Sequence, residues 1–192
     1  MRLLGKIVRL QIQPASLKQG EGDLRTYNPE SLIAVQELTL NRTGACARAS
    51  DGSVTIDVHN SKHPQTKNGG HNALSFVFTS HYAAMQTRFG GHLPIGSAGE
   101  SILIETEEVI SLDQVARGVV IETKDGRVVL GNVIVARPCS PFSRFAIGKA
   151  AAAAAEVKAA LQFLDQGMRG YYCELAGESP ATVALGDPVF AL

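Results

Sequence analysis

The 192-residue chain carries no excess of charge: eighteen lysines and arginines are matched by eighteen aspartates and glutamates. Nucleic-acid binding draws on a basic excess that releases counterions, so this balance argues against a nucleic-acid partner. It argues equally against electrostatic attachment to a membrane surface. Long hydrophobic runs are missing as well. The opening MRLLGKIVRL is interrupted by charge, and its apolar runs are too short for a signal-peptide core. No stretch approaches the roughly 20 apolar residues that cross a bilayer. Cysteine is scarce: Cys46, Cys139 and Cys173 cannot all pair with one another and lack zinc-ribbon spacing. Free thiols in a reducing compartment, hence the cytoplasm, are the expectation. A Rossmann glycine fingerprint and the cysteine set of an iron–sulfur cluster are absent too, so redox chemistry here would need electrons from another protein.

What the chain does have is apolar content for a core (45%) and many turn residues, nineteen glycines and eight prolines. Many turns suggest short strands. Alternating or compact apolar runs mark strands at Lys6–Gln13, Leu32–Leu40, 54–58, Leu74–Thr79, Ile102–Ile104 and Tyr171–Leu175. Val119–Thr123 and Val128–Leu130 form a hairpin across Lys124-Asp125-Gly126-Arg127, Asn132–Ala136 follows as a further strand, and Val183–Leu192 closes the chain. Residues 15–31 read as a loop. Ser80 is the expected N-cap of a helix ending at Gly90-Gly91, and an alanine-rich helix is expected over about 145–166. No regular β-α alternation occurs, so a doubly wound sheet is disfavoured. The expected architecture is mainly β: a single domain over residues 1–192, built as a β-barrel with a few peripheral α-helices.

Four constellations carry potential chemistry. Cys139 follows an apolar strand in the turn Arg137-Pro138-Cys139-Ser140-Pro141, where two prolines stiffen the backbone. Positive charge from Arg137 near the thiol would favour the thiolate, the form that attacks electrophiles and binds soft metals; the alternative is a small buried hydrophobe. The polar segment 57–73 holds Asp57, His59, Asn60, Lys62, His63, Lys67, Asn68 and His71. Its histidines match no strong zinc signature, and its donors, with the backbone of Gly69-Gly70, suit an anion better; a solvated loop is the alternative. Gly99-Glu100 lies in a run of small residues that permits close backbone approach, with Glu100 either fixing the loop or meeting a ligand. Arg169, between glycines, either reaches an anion or stays in solvent. Cys173 alternates with Tyr172 as a core residue.

Together these segments resemble the MOSC domain, the module named after the C-terminal part of molybdenum-cofactor sulfurase. The resemblance runs nearly the whole chain. Asp57-Val58-His59-Asn60 is similar to the family's Gly-Asp-Ala-His segment, and His71-Asn72-Ala73-Leu74-Ser75-Phe76 to its His-Arg-x-Val-Ser-Leu segment. Gly99-Glu100-Ser101-Ile102 resembles its Gly-Glu-Asn-Ile turn, and Arg137-Pro138-Cys139 the segment bearing the family cysteine. Met168-Arg169-Gly170 and Leu185-Gly186-Asp187-Pro188-Val189 resemble its closing motifs. Two positions depart from the pattern: the family's arginine after the second histidine is Asn72, and the asparagine after the glutamate is Ser101. Both changes remove groups that could hold a pterin phosphate.

The resemblance implies a β-barrel whose cleft holds Cys139 as catalytic thiol and molybdenum ligand. It implies that molybdenum cofactor (molybdopterin) is bound by Arg137, His59, Asn60, His71, Asn72, Gly99, Glu100 and Arg169. The implied activity is reduction of N-hydroxylated substrates, with an electron-transfer reductase as partner. One alternative is a sulfur carrier that holds a persulfide on Cys139, supplied by a separate cysteine desulfurase, since the chain has no room for a pyridoxal-phosphate site. The other is a binding module without chemistry.

Overall fold

The computed structural model describes residues 1–22, 25–49, 51–66, 72–149 and 151–192. Seven strands close into a barrel. In chain order they are β1 (Arg2–Ile12), β8 (Leu74–Phe78), β9 (Ile102–Ile104), β10 (Val119–Thr123), β11 (Gly126–Val135), β12 (Tyr171–Leu175) and β14 (Pro188–Ala191). Around the barrel the order is β14-β10-β11-β12-β8-β9-β1, and β14 pairs back onto β1. All neighbours are antiparallel except β8 and β9, which run parallel. A short strand β4 (Ile33–Val35) hangs on the outer edge of β1. A second sheet, in the order β13-β5-β6-β7, comprises β13 (Ala181–Ala184), β5 (Glu37–Asn41), β6 (Gly44–Arg48) and β7 (Val54–Ile56).

The pleat explains why β8, LSFVF, is wholly buried and apolar at every position but Ser75. Leu74, Phe76 and Phe78 point into the barrel core with Ile7, Ile102, Ile104 and Tyr171. Val77 points outward and is covered by Tyr82, Met85, Leu103 and Phe142 of a second cluster. A strand with both faces covered reads as a continuous apolar run. The outer cover comes from α1 (Thr79–Phe89), α3 (Ser140–Ile147) and α4 (Ala154–Phe163), while the single turn α2 (Leu112–Val115) leads into β10.

Several elements differ from the sequence reading. The stretch expected as one helix over 145–166 is two: α3 starts earlier and stops at Gly148, which sits at φ 73°, the left-handed value glycine adopts without strain. An irregular turn (Leu164–Met168) then leads from α4 towards β12. α1 begins at Thr79, with Phe78 rather than Ser80 in the cap position. The Ser80 hydroxyl instead pairs with that of Thr106 at 2.7 Å. The run Leu32–Leu40 splits into β4 and β5, which belong to different sheets. β11 is continuous from the hairpin turn to Val135, because a register shift after Gly131, with Asn132 at φ 50°, carries the strand through. The loop over 15–31 contains a small ribbon of β2 (Lys18–Gln19) and β3 (Thr26–Tyr27). Among the described residues no helix is long and apolar enough to cross a membrane.

Candidate functional site

Five segments meet at a pocket of about 570 Å³. They are the end of β1, the β2–β3 ribbon, the turn after β7, the residues after β11 and the entry to β12, with Asn72 just before β8 joining the lining. Its cationic side chains are Lys18, Arg25, Arg137 and Arg169, with Glu21 as the lone carboxylate in the lining. His59, Asn72, Tyr27 and Tyr172 are among its other polar side chains. The volume falls within the range typical of small-molecule sites, roughly 300–1,000 Å³. In a chain without net charge, this lining concentrates positive charge on one concave surface.

Arg169 is the organising residue. Its Nη2 donates to the carbonyl of Ala98 at 3.2 Å and its Nη1 to that of Arg137 at 3.2 Å. Its guanidinium lies over the Phe142 ring, 5.2 Å from the centroid. Burial alone would lower its pKa, but neighbouring Tyr172, Tyr27 and Cys139 hold it protonated beyond the ordinary arginine range. Its Nε is buried with no partner among the described residues. A buried donor of this kind is costly unless something accepts from it.

His59 is aimed by Asp57, a buried residue. One Asp57 carboxylate oxygen accepts from the backbone N–H of Gln13 at 2.8 Å. The other accepts from the His59 backbone N–H at 2.9 Å and pairs with His59 Nδ1 at 2.9 Å. The carboxylate thus ties the end of β1 to the imidazole and fixes the ring orientation.

Glu100 lies deeper. Arg9 Nε donates to Gln11 Oε1 at 2.7 Å, and Gln11 Nε2 donates to the carbonyls of Gly96 at 2.8 Å and Glu100 at 2.7 Å, which pins the 96–100 loop onto β1. Gly99, at φ 81°, lets this loop pass close beneath Leu17 and Tyr27; a side chain there would press on Leu17 Cδ1. The Glu100 carboxylate accepts from Tyr82 Oη at 3.0 and 3.1 Å, and Tyr82 Oη in turn accepts from the Ala98 N–H at 2.9 Å. Burial raises the Glu100 pKa to about 7, against the pull of Tyr82, Arg9 and Arg169. Burial likewise pushes the Tyr27 phenol well above its ordinary value, so it remains a donor, here to the Ser97 carbonyl at 2.8 Å.

Cys139 is half-buried at the N-terminus of α3, packed against the outer cluster that holds Tyr27 and Phe142. Arg169 and Tyr27 lie within electrostatic reach of it, which places the thiol beside the pocket, although it is not part of the pocket wall. The positive neighbour is therefore Arg169, whereas Arg137 is exposed at the rim.

The structure brings His59, Asn72, Arg137 and Arg169 together in the pocket and puts Gly99 and Glu100 beneath it. Asn60 is buried in local duty: its Nδ2 donates to the Ala45 carbonyl at 3.3 Å and its Oδ1 accepts from the Lys62 N–H at 3.0 Å. His71, Lys67, Asn68 and Gly69-Gly70 lie outside the described residues. His63 Nε2 pairs with the Pro14 carbonyl at 3.1 Å, a structural role. Cys173 is buried in the core, as its alternation with Tyr172 suggested. Sequence reasoning left Gln13, Lys18, Arg25 and Tyr27 out of the site. Their only signal was a pair of basic residues in a glycine-bearing loop. Among the described residues no three His, Cys, Asp or Glu side chains converge on a metal position.

No protein-family model matches the chain, and no curated protein matches it. Solved structures do. The chain is similar to the YuaD protein from Bacillus subtilis, with a TM-score of 0.58 and 14% identity over 98% of this chain and 96% of that one. It is similar to a hypothetical protein, with a TM-score of 0.58 and 16% identity over 98% of this chain and 67% of that one. It is also similar to YiiM from Escherichia coli, with a TM-score of 0.53 and 14% identity over 100% of this chain and 70% of that one. At these identities the likeness is one of fold, and it supports a MOSC-like fold for this chain.

Proposed function

We propose that the pocket binds an anionic pterin carrying molybdenum, the molybdenum cofactor, with Cys139 as the single protein thiolate to the metal. The observation that carries this reading is the grouping of Lys18, Arg25, Arg137 and Arg169 around one cavity beside a lone half-buried cysteine, in a MOSC-like barrel. Cationic side chains match a phosphate monoester, and a soft thiolate matches a sulfur-rich metal. Lys18 and Arg25 on the β2–β3 ribbon compensate for the guanidinium that Asn72 lacks. When bound, the group would supply two-electron chemistry at an N–O bond. The chain's residues would orient it: Arg169 by its fixed fork, and His59 by its tie to Asp57.

The test is the molybdenum and pterin content of protein purified from a host that makes the cofactor, together with reduction of hydroxylaminopurine by an added reductase. Near-stoichiometric molybdenum in the parent protein and its loss in Cys139→Ser are expected. A parent protein that never takes up molybdenum or pterin overturns the reading.

A second reading, a persulfide carrier, draws on the placement of the half-buried Cys139 at the start of α3 beside Arg169. Intact mass after incubation with a cysteine desulfurase would then show one added sulfur, absent in Cys139→Ser.

A further inference from the structure

A second, much smaller cavity of about 10 Å³ lies directly under the pocket and shares His59, Arg169 and Tyr172 with it. Ser75 and Glu100 form the rest of its polar wall. The volume is that of a single water, which needs about 10–15 Å³ and two to four polar partners. Two lining residues want such a partner: Arg169 has a buried Nε with no acceptor among the described residues, and Glu100 is a buried carboxyl whose side-chain donor among the described residues is Tyr82.

We propose that this cavity holds one water bridging Arg169 and Glu100, and that Glu100 exchanges a proton through it with the ligand bound in the pocket. The inference rests on the pocket being an anion site. Ionisation of Glu100 is set by what surrounds it: Arg9 from β1, Arg169 from the turn before β12, Tyr82 from α1, Tyr27 from the ribbon, and His59 and Tyr172 across the cavity. An anion seated against Arg169 takes up part of the positive charge that favours the carboxylate. Glu100 then binds a proton as the ligand arrives.

In the reduction of an N-hydroxylated base, R–NHOH + 2 e⁻ + 2 H⁺ → R–NH₂ + H₂O, the N–O bond breaks. One proton goes to the departing oxygen and the other to nitrogen. Glu100 supplies the first across the bridging water, the second comes from solvent through the open pocket, and the electrons come from a separate reductase. Glu100 acts through the water and is a positioning and proton-holding residue.

Titration calorimetry with molybdate as the probe tests this without any turnover. Molybdate does not titrate near pH 7, so proton uptake is read from the difference between buffers of unlike ionisation heat. The parent protein is expected to take up about half a proton per molybdate at pH 7, because Glu100 is then half-protonated. Glu100→Gln is expected to bind molybdate and take up none. Tyr82→Phe removes the donor that favours the carboxylate, and its uptake maximum should move to higher pH. Binding without proton uptake in the parent, or undiminished uptake in Glu100→Gln, overturns the Glu100 proposal and leaves the pocket reading standing. Absence of molybdate binding in both the parent and Glu100→Gln overturns the pocket reading and this inference together.

Discussion

His81 and Glu100 are both buried, and burial moves them in opposite directions along the pH axis. His81 sits among Phe78 and Tyr171, and its Nε2 lies 3.0 Å from the Ile110 carbonyl and 3.2 Å from the Ile110 N–H. Burial lowers its pKa from 6.5 to about 4. The fold prefers it neutral, so its contribution is complete above pH 6.5 and is lost as pH falls towards 4. Glu100, raised from 4.5 to about 7, is preferred protonated; its contribution is complete below 4.5 and is lost as pH rises through 7. The two slopes oppose each other between 4.5 and 6.5, and urea unfolding of the parent should show a flat stability there. Glu100→Gln should gain on the parent progressively up to pH 8, by on the order of 3 kcal/mol. A parallel pH profile for the two would contradict the buried-carboxyl assignment. Arg169→Lys keeps the charge but loses the fork that spans two carbonyls and stacks on Phe142. It should lose about 1–3 kcal/mol of stability and bind molybdate at least tenfold more weakly by calorimetry.

At the scale of elements, the early start of α3 decides where Cys139 sits. A helix confined to 145–166 would leave residues 139–144 as an open turn; α3 instead begins at Ser140, with Cys139 in the cap position, and stops at Gly148. The Gly148 N–H bonds back into α3, and a Cβ here would stand 2.9 Å from His92 Nε2. Gly148→Ala should therefore cost about 1–2 kcal/mol, through left-handed strain and displacement of the His92 contact to Ala146, read from the thermal midpoint. The alanine run gave helical propensity but no register for its interruption, because a single glycine in a helical pattern can be tolerated within the helix or can end it. β8 and β9 were legible from composition alone, since strands covered on both faces read as near-continuous apolar runs, broken here only at Ser75. The β2–β3 ribbon was not, because its two-residue strands carry no period to detect.

At the scale of the whole molecule, closure of the barrel rests on β14, which pairs with β1 on one side and β10 on the other: Phe190 faces Leu3 and Val120. Phe190→Pro removes a backbone donor from a strand without a free edge and should cost more than about 3 kcal/mol, collapsing the cooperative melt followed by circular dichroism. Closure also brings the ends of β1 and β11 and the start of β12 to one rim, where the turn after β7 of the second sheet joins them, and an electrically neutral chain acquires a cationic pocket. Molybdate affinity should accordingly fall as salt rises from 0.05 to 0.5 M, by roughly tenfold for a partly screened site. Salt-independent binding would place the anion elsewhere.

The sequence by itself determined the class of fold, the positions of most barrel strands and the motif segments at which polar groups leave the core. All of these depend on local period and turn chemistry. Only the tertiary structure decided that Arg169 is the hub of the site, that Arg25 and Lys18 join it, that Asn60 serves the backbone, and that Glu100 lies buried below the floor. These are matters of burial and of contacts between residues up to about 150 positions apart, and neither leaves a trace in local sequence.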